Sequence, residues 1–193
     1  IVERIVAAVR EDAQVREVAL TVVVEPGDYE VDADPVRIEQ IVWNLATNAI
    51  KFTSKGGSVQ VKLNCTSTHV RIDVVDTGQG IDQSFLPHVF DMFRQADADP
   101  MFRAKGGLGI GLALVKQLTQ AHGGHVFVTS GGQGQGSTFT VELPRGTEEV
   151  ASGEAAQQKS PLHGLRILLV DDDADLNRPL VGPGPGHARS CLC

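Results

Sequence analysis

One stretch constrains this chain more than any other: Asn44, Leu45, Ala46, Thr47, Asn48, Ala49, Ile50, Lys51, Phe52 and Thr53. Upstream, Asp34 followed by Pro35 offers an N-cap and a proline at the first helical position. A helix is therefore predicted from Pro35 to about Phe52, ending before Gly56 and Gly57. On it Asn44, Asn48 and Lys51 fall at i, i+4 and i+7 and share one face. The opposite stripe, Ile38, Val42, Leu45, Ala49 and Phe52, suits a core. Two amides and an ammonium in one row suit a metal ion and phosphate oxygens. Taken alone, they suit a solvated polar face equally well.

The flanking segments say what covers the apolar stripe. Helical spacing runs through Val2, Ile5, Val6, Val9 and Ala13. Leu20 to Val24 reads as a strand, closed by the turn residues Glu25, Pro26, Gly27 and Asp28. Val59, Val61, Leu63 and Cys65 alternate with polar residues, as do Val70, Ile72 and Val74. These are two half-buried strands with a short connection, expected to be antiparallel neighbours. A short helix is expected near residues 87–93. A second long helix is expected over 109–122, with Gly123 and Gly124 as its stop. Residues 125–129 and 137–143 read as two more strands. The fold class is an α/β (α+β) two-layer sandwich, one mixed and largely antiparallel sheet with about three helices on one face.

Three glycine-rich segments follow the asparagine helix at set distances. Asp76, Thr77, Gly78, Gln79 and Gly80 leave a strand directly; a carboxylate there can accept an exocyclic amine, and the glycines let backbone approach a base. An ordinary strand-ending turn has the same composition. Gly106, Gly107, Leu108, Gly109, Ile110, Gly111 and Leu112 open a helix, where unpaired N–H groups and the helix dipole favour an anion. The spacing excludes a dinucleotide fingerprint, and no Gly-Lys-Ser/Thr follows for a P-loop. Gly134, Gln135, Gly136, Ser137, Thr138 and Phe139 precede the last strand. Between the first two segments stand Phe90, Asp91, Met92, Phe93 and Arg94, then an irregular stretch, 95–105, ending at Lys105.

In this order the motifs resemble the nucleotide boxes of the histidine-kinase ATP-binding domain, in the superfamily shared with gyrase, Hsp90 and MutL. The resemblance covers roughly residues 1–145. It implies a Bergerat-type fold and ATP with Mg2+ as cofactors. It makes Asn48 the magnesium ligand, with Asn44, Lys51 and Arg94 beside the phosphates as catalytic residues. It places Phe52 near the adenine and makes Asp76 its reader. Gly78, Gly80, Lys105, Gly107, Leu108, Gly109, Ile110, Gly111, Leu112 and Thr138 complete the nucleotide site. The stretch 95–105 becomes the ATP lid.

Related ATPases carry a glutamate one turn before the magnesium asparagine. Here that slot is Asn44, and an amide has no useful basicity near neutral pH. Fast ATP hydrolysis is therefore not expected. The implied activity is that of a protein-histidine kinase, delivering the γ-phosphoryl group to an imidazole, which is nucleophilic at pH 7 without a base. No histidine precedes His69, so the phosphoacceptor is expected on a separate dimerisation hairpin absent from this chain. The alternatives are a non-catalytic ATP-binding or interaction module, and a gyrase-type ATPase.

The bulk numbers limit the partners. With 193 residues and 41% apolar content, the chain holds enough for one domain plus a fragment. Net charge of −7 argues against nucleic acid. Three cysteines, Cys65, Cys191 and Cys193, suggest neither a disulfide framework nor a zinc site, and fit a cytoplasmic setting. No apolar run reaches a membrane span, although the parent is free to be membrane-attached. The expected domains are 1–146 for ATP, 147–163 as a polar linker, and 164–193. In that last piece, Leu165 to Asp173 resembles the first strand and acidic pair of a response-regulator receiver, followed by too few residues for a receiver fold. It is expected to be disordered. The chain opens like a piece of a longer kinase, and the fragment itself is expected to be monomeric. A receiver, its own or separate, is the implied downstream partner.

Overall fold

A computed structural model describes residues 1–94 and 108–146, and residues 189–191 by backbone. The chain divides into one unit of Ile1–Thr147 with His187–Cys193, and a second of Glu148–Gly186. The second unit, with the expected linker and most of the expected receiver start, lies outside the described residues.

Two short helices, α1 (Val2–Ala8) and α2 (Arg10–Val15), stand where one helix is predicted. Buried Val9, at φ −90° and ψ 3°, marks the join. The hydrogen-bond ladder runs through it, from Val9 N–H to Ile5 O and Ala13 N–H to Val9 O. The break is thus a kink that keeps Val2, Ile5, Val6, Val9 and Ala13 all on the core side. Strand β1 (Ala19–Val24) follows, then β2 (Glu30–Asp32), too short and too polar to read from sequence.

Helix α3 spans Pro35–Phe52, as its cap and periodicity dictate. The Asp34 carboxylate accepts the Val36 N–H at 2.8 Å, and Pro35 takes the first turn. Its buried residues are Ile38, Ile41, Val42, Leu45, Ala46, Ala49 and Ile50. Strands β3 (Ser58–Cys65) and β4 (His69–Asp76) pair antiparallel, Val59 opposite Asp76 and Cys65 opposite Val70. The expected short helix shrinks to a 3-10 turn at Leu86–His88. Helix α4 (Gly111–Ala121) leads to β5 (His125–Ser130) and β6 (Ser137–Pro144).

The main sheet has the order β1-β3-β4-β6-β5, with β1 parallel to β3 and every other pair antiparallel. Helix α3 packs between α1 and α4 and lies over β3 and β4. Alternation sends Val70, Ile72, Val74 and Asp76 of β4 toward the helices. Asp73 points to the opposite, helix-free face, yet is only 7% exposed. Arg71 Nε donates to both its oxygens at 2.9 and 3.0 Å, and Thr140 Oγ1 donates at 2.5 Å. A separate two-stranded ladder joins β2 to β7 (Arg189–Cys191), Val31 standing opposite Ser190.

Candidate functional site

Asn44, Asn48 and Lys51 share one half-buried stripe of α3, as their spacing predicts. Asn44 Nδ2 donates to Gln40 O at 2.7 Å, one turn back. Its Oδ1 is thereby turned toward the start of α4. A Cβ on Gly111 would sit 2.9 Å from that oxygen, so the Asn44 amide and the first residue of α4 lie side by side. Among the described residues no hydrogen bond engages the Asn48 amide. Lys51 Nζ stands 4.8 Å from the centre of the Phe52 ring. Burial draws its pKa below the ordinary 10.5, and the charge of Arg16 adds to the effect.

Asp76 closes β4 and is only 6% exposed. Oδ1 accepts the Gly78 N–H at 2.8 Å, and Oδ2 accepts the Ser137 hydroxyl. Gln79 N–H donates to Phe52 O at 3.1 Å, which ties this turn to the end of α3. Gly80, at φ +67°, continues the turn. The last glycine segment clasps it from the other side: Gly136 N–H donates to Gly78 O at 3.1 Å and Gly134 N–H to Gln79 O at 2.6 Å. The first and third glycine segments are therefore one assembly.

Thr138 was the residue expected at the nucleotide from this segment. In β6 it stands opposite Val75, whereas Ser137 stands opposite Asp76 and bonds its carboxylate. Strand alternation thus gives Ser137 the helix-facing position and Thr138 the opposite one. A hollow of about 220 Å³ at this end of the β5–β6 hairpin touches both, along with Asp76, Ser130 and Gln135. Ser137, which the sequence motifs did not single out, is the residue of this segment that bonds Asp76. Counting the two-residue period back from inward-facing Phe139 would have found it.

Phe90 packs edge to face on Phe139, with centroids 6.3 Å apart, so it belongs to the core. Phe93 does not: it is 72% exposed, with φ +60°. Its N–H donates to Gly109 O at 3.1 Å, which brings the phenylalanine segment to the second glycine segment. Arg94 Nε lies 3.8 Å from Asp91, and Asp91 also holds His88 Nδ1 at 2.9 Å. Leu108 is exposed, Gly109 has φ +68°, and Leu112 packs against the core. Ile110 caps α4 without a side-chain bond. The first described amide bond of that helix runs from Leu114 N–H to Ile110 O, so the N–H groups of residues 111–113 have no intrahelical partner. Lys105 and Gly107 lie outside the described residues, as does the expected lid.

The C-terminal half of α3 therefore gathers the amide stripe, the Asp76 turn and the α4 N-terminus. Residues 33–147 match the family described as histidine kinase-, DNA gyrase B- and HSP90-like ATPase. This chain belongs to that family. Its five-stranded mixed sheet with helices on one face is the family's fold, as the sequence predicts. It is 41% identical over 143 residues to the circadian input-output histidine kinase CikA of Synechococcus elongatus, covering 74% of this chain and 19% of that protein. It is 38% identical over 150 residues to the aerobic respiration control sensor protein ArcB of Escherichia coli, covering 76% and 19%. The chain thus spans about a fifth of these curated relatives. Among solved structures, the mycobacterial sensor histidine kinase MprB superposes with TM-score 0.64 at 28% identity, covering 76% of this chain and 93% of that one. Full-length ShkA in complex with AMPPNP gives TM-score 0.64 at 32% identity, covering 76% and 29%. No helix among the described residues is long and apolar enough to cross a membrane.

Proposed function

We propose that this chain binds magnesium-ATP between α3, the Asp76 turn and the start of α4. Within a longer two-component kinase it would present the γ-phosphoryl group to a histidine on a separate helical hairpin. Residues 1–146 form the ATP-binding domain in this reading, 147–163 a linker, and 164–193 the incomplete start of a receiver. Family membership and the similarity to sensor kinases support it.

The donor set fits the cofactor. Asn48 offers a neutral carbonyl that no described residue engages, and the described residues hold no cluster of three or more His, Cys, Asp or Glu. A single amide ligand suits magnesium, which keeps waters and shares phosphate oxygens rather than filling an all-protein cage. When bound, that ion supplies charge neutralisation for phosphoryl transfer. The chain's own residues do the rest. Asp76 accepts from the exocyclic amine of adenine, and Ser137 and the Gly78 N–H fix its carboxylate. Lys51 places positive charge beside the phosphates. The N–H groups at the start of α4, which have no intrahelical partner, face the same anion. Arg94 adds a cation at the rim, released from Asp91. Asn44, tied to Gln40 O, orients without removing a proton, so attack is left to the imidazole rather than to water.

The observation that carries this reading is the approach of Asn44 Oδ1 to Gly111, which sets the amide stripe against the glycine-opened helix. Calorimetric titration of the full chain with ATP, with and without magnesium, tests it. The parent binds only with both, whereas Asn48→Ala and Asp76→Ala each weaken binding at least tenfold. Unchanged affinity in both variants would remove the assignment. Phosphorylation of an added hairpin from a related kinase, with little free phosphate released, tests the transfer.

A further inference from the structure

β1 is an edge strand of the main sheet, and no described strand pairs with its outer side. In the parallel pair with β3, Ala19 N–H donates to Gly57 O at 2.9 Å and, six residues on, Glu25 N–H donates to Leu63 O at 3.0 Å. Residues 19, 21, 23 and 25 therefore direct their amides at β3. The N–H and C=O groups of Leu20, Val22 and Val24 point the other way. Among the described residues no hydrogen bond reaches them. The strand reads Ala-Leu-Thr-Val-Val-Val, with no charge and no proline. Folded proteins usually blunt such an edge with one or the other. Val23 and Val24 are exposed beside it.

We propose that this edge is the docking site for β1 of a second copy of the chain, paired antiparallel about a two-fold axis at Val22. The pattern is self-complementary. Val22 then faces Val22, and Leu20 faces Val24, so each outward donor and acceptor of the three residues meets a partner. Thr21 faces Val23 across the seam on the helix-free side. No like charges oppose one another, which a symmetric pairing of a charged strand would force. The contact is small and its affinity correspondingly weak. With a net charge of −7 on each copy, association strengthens as salt screens the repulsion. This inference departs from the expected monomer and is independent of the nucleotide assignment.

Sedimentation equilibrium of the full chain from about 5 µM to 500 µM, the range suited to a small interface, reads the outcome directly. The expected result is a mass rising toward twice the monomer, more so at high salt. Thr21→Lys with Val23→Lys sets lysines opposite lysines on an exposed face and raises the dissociation constant at least tenfold. Thr21→Glu with Val23→Lys instead pairs opposite charges across the seam and keeps the dimer. Should the lysine pair fail to fold, hydrogen exchange on the parent decides: the amides of Leu20, Val22 and Val24 slow as concentration rises. A constant monomer mass, concentration-independent exchange at those amides, or association untouched by a folded lysine pair each overturns the proposal.

Discussion

Burial sets the Lys51 ammonium below its ordinary pKa of 10.5, and the Arg16 charge pushes the same way. Between the depressed value and 10.5 the unfolded chain holds more protons at this site than the folded one. The site's contribution to stability therefore rises with pH across that window, and its penalty persists below it. A polyanion beside Lys51 reverses the shift. ATP binding at alkaline pH, within the window below 10.5, is expected to take up protons, which titrations in buffers of different ionisation heat will detect. Lys51→Met abolishes the uptake. No uptake by the parent would place Lys51 away from phosphate. This part of the site was legible from sequence because i, i+4, i+7 spacing fixes a helix face. The role of Arg16 was not, since the residues between it and Lys51 carry no period that joins them.

Two helices end in the same motif, and the comparison isolates one residue. At α4, Gly123 N–H donates to Gln120 O and Gly124 N–H to Thr119 O. At α2, Glu17 N–H donates to Gln14 O and Val18 N–H to Ala13 O. Both are Schellman caps, which need a left-handed residue at the turn. Gly123 meets that need at φ +69° without strain, and the paired glycines announced this stop in the sequence. Glu17 sits at φ 54°, and a glutamate announces nothing. Glu17→Gly is expected to stabilise by about 0.5–1 kcal/mol in denaturant unfolding, since relief of the left-handed strain outweighs the added freedom of the unfolded chain. Its exposed contact with Lys55 contributes little. A destabilised variant would show that the cap tolerates glutamate at no cost. The start of α3 offers the opposite test. Asp34→Ala removes the bond to Val36 N–H, at an expected cost of about 1 kcal/mol. His122 shares this junction: its Nδ1 stands 2.8 Å from Leu118 O, and its Nε2 accepts the Asp34 N–H at 3.2 Å. Asp34→Asn should restore most of the loss, which separates a capping bond from a charge effect in the same melts.

At the scale of the molecule, local pairings were legible and distant ones were not. β3 and β4 follow each other with a short turn, so their alternation already implied an antiparallel pair. Nothing local says that β1 lies parallel to β3, or that β6 slots between β4 and β5, because those contacts join segments far apart in sequence. The meeting of Asn44 with Gly111 is of the same kind, and only the order of the motifs pointed to it. The far end of the chain poses the remaining question of autonomy. Among the described residues the core runs from Val2 to Leu143, and every strand of the main sheet ends by Pro144. What the described C-terminal residues add is a three-residue ladder on β2. β2 is also held by Gly146 N–H to Glu30 O at 3.1 Å and by the bridge of Val31 to Arg145, and Val31 is buried. Ending the chain after Gly146 is therefore expected to lower Tm by no more than about 3 °C, the loss of under 1 kcal/mol for a domain of this size. Magnesium-ATP affinity should stay within twofold, since the groups assigned to the nucleotide all precede that point. A drop of 10 °C, or lost nucleotide binding, would instead make the C-terminal strand a structural part of the domain rather than an appendage resting on its edge.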